Sequence, residues 1–111
     1  MSRDKDALLD VLEMIELIER HGPADEEALR SDVVRQAATL HWIQIIGEAA
    51  NRVSAQLKQT HPEIPWGGAI AMRNLVAHGY DQVRLDVVAE VIRDDLPSLR
   101  EQIKSIVDEL E

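Results

Sequence analysis

Residues 31–59 read SDVVRQAATLHWIQIIGEAANRVSAQLKQ. Val34, Ala38, Ile45, Ala49, Val53 and Leu57 recur at helical spacing, and Leu40, Ile46 and Ala50 widen their face. That period predicts one amphipathic helix from Ser31 or Asp32 to about Gln59. Gly47 interrupts it at an expected cost of about 1 kcal/mol relative to alanine. A glycine inside such a strong helical pattern implies that another backbone or helix comes close there.

The flanking stretches are helical too. Leu8, Leu12, Ile15 and Ile18 keep the same rhythm, with Asp10, Glu13, Glu16 and Glu19 on the other side. They predict a helix from about Asp4 to Arg20, stopped by Gly22-Pro23. Glu26–Arg30 reads equally as a separate helical turn or an early extension of the second helix. After Ile64-Pro65-Trp66 a third, shorter helix is expected, with Pro65 in its first positions and Gly79 capping an end near His78. The last stretch, Leu85–Leu110, carries Val87/Val88, Val91/Ile92, Leu99, Ile103, Ile106/Val107 and Leu110. Pro97 is expected to break it, with Asp95 capping the final segment. No convincing strand lies between these stretches. The expectation is an all-α, up-and-down bundle of four to five helices, forming one domain over residues 1–111.

Composition narrows the function classes. With 111 residues the chain is one domain, and with no Cys it has no disulfide framework and no thiol nucleophile. The core must be aliphatic, since only three residues are aromatic and none is Phe. Apolar runs are too short to span a membrane. Acids at positions 4, 6, 10, 13, 16 and 19 are unlike a signal peptide. A cytoplasmic protein is the expectation.

The net charge of −9 argues against nucleic-acid binding until its distribution is considered. Residues 1–32 hold ten acids and four bases, a net of −6, and residues 86–111 hold eight acids and three bases, a net of −5. Residues 33–85 hold three acids and five bases, a net of +2, together with His41, His61 and His78. Any anion is therefore handled by the middle of the chain; the acidic ends also read simply as solvated helix faces.

Within that middle, Met72-Arg73-Asn74-Leu75-Val76-Ala77-His78-Gly79-Tyr80 gathers a guanidinium, an imidazole and a phenol. Arg supplies a permanent charge with a donor fork matched to phosphate. His titrates where proton transfer near neutrality needs it, and Tyr offers a hydroxyl and a stacking face. On an ideal helix Arg73 and His78 stand roughly 140° apart. They meet at one phosphate only if the helix distorts or a second protomer completes the site. The residues alone leave open a plainer account: a capping His, a surface Arg and a Tyr packed on the next helix.

Arg73, four residues, then His78-Gly79-Tyr80, with Asn74 after the arginine, resembles the R-x4-H-x-Y signature of the HEPN superfamily. Ile64-Pro65-Trp66, Ile46-Gly47-Glu48-Ala49 and Leu96-Pro97 are similar, in order, to landmarks of its HepT-like branch. The resemblance runs from Asp4 into the last helix. It implies a helical bundle that forms a homodimer or a higher oligomer, and a metal-independent ribonuclease acting on an RNA such as a tRNA or mRNA. It further implies a toxin paired with a small MntA-like nucleotidyltransferase antitoxin that transfers AMP to the motif tyrosine, here Tyr80. By this likeness Arg73 and His78 are catalytic and Asn74 orients substrate or His78. A reading in another class makes the chain a non-catalytic helical binding partner of a nucleotidyltransferase.

Glu48 reads either as an i, i+4 partner of Arg52 or as a carboxylate orienting His78 or Arg73. Trp66 reads as a core plug, and His41 and Trp42 as dimer-interface residues. No metal-binding spacing such as H-E-x-x-H and no glycine-rich phosphate loop occurs, so no metal or cofactor is expected and the chain is not itself a nucleotidyltransferase.

Overall fold

The computed structural model describes residues 2–76 and 83–110. Helix α1 (Ser2–His21) buries Ala7, Leu8, Val11, Ile15 and Ile18 along one stripe and exposes Glu13, Glu16 and Glu19. It stops where expected, the Gly22 N–H donating to the Ile18 carbonyl at 2.8 Å.

The segment left open by the sequence is a separate helix, α2 (Glu26–Ser31), anchored by fully buried Leu29. An aspartate stands at each end of it. The Asp25 carboxylate accepts from the Ala28 amide at 2.8 Å, and the Asp32 carboxylate accepts from the Arg35 amide at 3.0 Å. Each satisfies a donor that a helix start leaves unpaired, so Asp32 opens a new helix instead of extending α2.

Helix α3 (Val33–Arg52) is the axis of the bundle, packing on α1, α2 and the segments after Pro65. It ends seven residues earlier than the predicted Gln59. Val53 and Ser54 are extended, and α4 (Ala55–Thr60) starts afresh with the Ser54 hydroxyl accepting from the Leu57 amide at 3.1 Å. The cause lies in α1. The buried Asp4 carboxylate accepts from the Ser54 amide at 2.9 Å and from its hydroxyl at 2.7 Å. A continuous helix would spend the Ser54 amide on its own ladder, leaving that buried carboxylate short of a donor.

Helix α5 (Trp66–Ala71) begins one residue after Pro65, which takes the N-cap position. The chain then tightens into a 3₁₀ segment, Met72–Val76, instead of continuing as the α-helix expected to reach His78. His78, Gly79 and Tyr80 lie outside the described residues.

The C-terminal stretch corrects a third expectation. Pro97 does not break it and Asp95 does not cap it. Helix α6 (Leu85–Glu90) runs through a π turn, Val91–Asp95, into α7 (Leu96–Leu110). The Leu96 N–H donates to the Val91 carbonyl, five residues back. An interior proline lacks an N–H and its ring crowds the carbonyl four residues earlier. The widened turn just ahead of Pro97 gives that carbonyl room.

The core is aliphatic as composition required: Leu8, Ile15, Leu40, Ile43, Ile46 and Ile103 are fully buried. Among the described residues there is no strand, and no helix is long and apolar enough to cross a membrane. The fold is an all-α bundle.

Candidate functional site

The site starts from Gly47, buried in α3. A methyl group placed on it would lie 2.5 Å from the Arg73 amide nitrogen, 2.7 Å from its Cβ and 3.0 Å from its Cα. No other residue type leaves room for that approach. The missing side chain seats the first turn of the 3₁₀ segment against α3, and so determines where the Arg73 side chain begins.

Trp66 sets the other end of this arm. It is buried, and its indole N–H donates to the His61 carbonyl at 2.9 Å, pinning the Ile64-Pro65-Trp66 corner to the core beside buried Ile64. Its role as a core plug is as expected. With three residues per turn, Met72 and Leu75 fall on one face of the 3₁₀ segment while Arg73 falls on another. Met72 is buried, Arg73 and Leu75 are half-buried, and Asn74 is exposed.

The charge environment of Arg73 differs from that of most arginines here. Arg20, Arg30, Arg35, Arg52, Arg84, Arg93 and Arg100 each lie in an ion pair with a described acid. Arg84 grips Asp86 with two N–H groups, at 3.1 and 2.8 Å, and that hydrogen bonding holds the Asp86 carboxyl below its ordinary range. Arg73 has no hydrogen-bond or ion-pair partner among the described residues, an arrangement it shares with the exposed Arg3 near the chain start. A guanidinium without an acceptor among the described residues is the site's candidate donor to an anion.

Glu48, next to Gly47, is exposed and does not pair with Arg52. Arg52 reaches α1 instead, at 2.6 Å from Asp10. This overturns the i, i+4 alternative: a tertiary partner has displaced the local one. Glu48 accepts from the Gln44 side-chain amide at 3.4 Å, a long hydrogen bond. Among the described residues it makes no contact of this kind with Arg73. Sequence reasoning misses Gln44, although its i, i+4 spacing from Glu48 is the signal that could find it. His41 is exposed, whereas Trp42 is half-buried and packs against the core. Of the motif, the structure brings Arg73 and Asn74 beside the Gly47–Glu48 step; His78 and Tyr80 fall outside the described residues. No group of three His, Cys, Asp or Glu side chains suited to a metal occurs among the described residues.

The family model described as "Ribonuclease HepT-like" matches residues 11–106, a span that includes Gly47, Glu48, Trp66, Arg73 and Asn74. The chain belongs to the HepT-like ribonuclease family. It is 35% identical over 103 residues to the "Probable ribonuclease HepT" of Thermococcus cleftensis, covering 92% of this chain and 94% of that relative. It is 31% identical over 91 residues to a "Putative RNase" of Caldanaerobacter subterraneus, covering 82% and 81%. A Methanocaldococcus jannaschii protein named "Gamma-glutamylcyclotransferase and putative RNase" is 33% identical over 102 residues, covering 91% of this chain but 46% of that one. No solved structure matches significantly. The first residues of the HepT-like motif thus sit on a 3₁₀ arm that Gly47 seats and Trp66 anchors.

Proposed function

We propose that this protein is a metal-independent endoribonuclease that acts as a homodimer, with Arg73 and His78 as its catalytic pair. The observation that carries the reading is the Arg73 guanidinium, without a partner among the described residues and held at a set place on α3 by Gly47. RNA brings its own nucleophile, the 2′-OH. His78 accepts the 2′-OH proton, the 2′-oxygen attacks phosphorus, and the P–O5′ bond breaks as the 5′-oxygen gains a proton. The products are a 2′,3′-cyclic phosphate and a 5′-OH end. Arg73 offsets the charge that gathers on the phosphoryl oxygens. Asn74 orients the substrate or His78, and Glu48 is the carboxylate that orients His78.

The outer side of α3 supports the dimer. Val34 is 79% exposed, and half-buried Ala38 and Ile45 continue the same face at helical spacing up to Glu48. A two-fold contact along this face would pool the bases of two middles. In the toxin–antitoxin reading, an MntA-like nucleotidyltransferase silences the enzyme by moving AMP onto Tyr80, placing a bulky anion beside the catalytic pair. The net charge of −9 favours a second reading, in which the chain is mainly a non-catalytic partner of that nucleotidyltransferase.

The test is cleavage of total RNA in excess EDTA by wild type and His78→Ala, after intact mass confirms that neither carries AMP. Cutting by wild type alone supports the nuclease. No cutting by unmodified wild type moves the assignment to the partner reading. Equal cutting by both removes His78 from the mechanism. Incubation with a nucleotidyltransferase and ATP should add AMP to wild type and not to Tyr80→Phe.

A further inference from the structure

A concave feature lies on the Met72–Leu75 face of the Arg73 arm. Between α5, the 3₁₀ segment and the π turn into α7 runs a groove of about 310 Å³. Its floor is apolar, built by Met72, Leu75, Val91 and Leu99, and Gly68 and Ala71 keep one wall thin. Its rim is acidic: Asp94 and Asp95 both line it, and among the described residues no lysine or arginine does.

Asp94 and Asp95 close the π turn, and with Val91, Ser98 and Gln102 they keep the i, i+3/i+4 spacing of one helix face, which sets both carboxylates along the rim. Asp94 accepts from Arg93, which does not line the groove, at 2.9 Å on each carboxylate oxygen. Asp95 has no hydrogen-bond or ion-pair partner among the described residues. The rim therefore keeps a negative field over an apolar floor.

We propose that this groove docks a segment of a partner protein in which an apolar side chain is flanked by lysine or arginine. The volume suits one aromatic or two aliphatic side chains, at the small end of ligand cavities. Charge selects the class of occupant. The Asp95 carboxylate, unpaired among the described residues, disfavours a phosphate backbone, whose affinity for proteins comes from Lys and Arg contacts. It attracts a cationic peptide and orients its apolar anchor into the floor. Because Met72 and Leu75 share the 3₁₀ segment with Arg73, an occupant would brace that arm from behind. Docking itself does not depend on the ribonuclease reading; only the bracing does.

The test uses a fluorescein-labelled, end-capped twelve-residue peptide of leucine pairs and lysines, titrated with the full chain and followed by fluorescence polarisation. Wild type should bind, more weakly as salt rises. The double variant Asp94→Asn/Asp95→Asn and the groove-filling Ser98→Tyr should each raise Kd at least tenfold. Glu13→Gln, an exposed acid of α1 outside the groove, should leave Kd unchanged. All these positions are exposed, and circular dichroism verifies each fold. Equal binding by all four proteins, or no binding by wild type, overturns the proposal. So does a labelled RNA oligonucleotide that binds wild type and is lost on Ser98→Tyr, which would make the groove an RNA subsite. No arm measures RNA cleavage, so failure here leaves the nuclease assignment untouched.

Discussion

The amide nitrogen of Arg73 lies over Gly47 so closely that a single methyl group on the glycine would come within 2.5 Å of it. The atoms that would be struck are backbone N and Cα and the first side-chain carbon, not the end of a flexible chain. Gly47 thus couples the centre of α3 to the start of the motif.

Replacing that glycine separates two opposing effects. In an exposed helix Gly→Ala gains about 1 kcal/mol from propensity. Here overpacking opposes it at roughly 1–3 kcal/mol. Gly47→Ala should be destabilised in urea by about 1 kcal/mol, the balance of those two effects, and should cut RNA more slowly because the Arg73 arm is pushed off α3. A variant as stable and as active as wild type would mean that the arm shifts freely and that its seat is unimportant.

Arg73 and Arg52 should behave oppositely. Arg73 has no partner among the described residues, so Arg73→Ala should leave the urea midpoint unchanged. It should lower the cleavage rate roughly 10²–10³-fold, the usual cost of losing one transition-state donor. Arg52 holds Asp10 across the surface, so Arg52→Ala should cost no more than about 1 kcal/mol and spare cleavage. A large stability loss at Arg73 with little kinetic effect would make it a structural residue.

Asp4 should matter more than its place near the chain start suggests. It is 8% exposed and accepts two hydrogen bonds from Ser54. Asp4→Ala leaves a part-buried amide and hydroxyl without that acceptor, at about 2–3 kcal/mol. Equilibrium denaturation should show that loss, and Ser54→Ala a smaller one, since the backbone amide at position 54 keeps its bond. No change in Asp4→Ala would show that the break after Arg52 has another cause.

Val34→Asp tests the dimer face without burdening the fold. Val34 sits in the first turn of α3 and is 79% exposed, so a carboxylate there suits the helix dipole. Monomer stability should hold while sedimentation shifts toward monomer and cleavage falls with it. Unchanged sedimentation would place the dimer contact elsewhere or remove it.

Sequence and structure part company at identifiable residues. Gly47 is legible as a place of close approach, but its neighbour is not, because a glycine carries no mark of what it meets. The Glu48–Arg52 spacing is a fair local expectation that fails because Asp10, on another helix, takes Arg52 into its own ion pair. Pro97 reads as a break because local rules contain no π turn to absorb it.

The helical class, the aliphatic core, the boundaries of α1 and the family motif can all be read from residue order. They depend on period, caps and residue type, which act over a few neighbouring positions. Packing decided where α3 stops, where the Arg73 arm is seated and which arginine holds Asp10. Those outcomes turn on Asp4 meeting Ser54, Gly47 meeting Arg73 and Asp10 meeting Arg52, and each partner stands at least 26 residues away in the chain. A hydrogen bond or a steric seat between such distant residues exists only after the helices have packed.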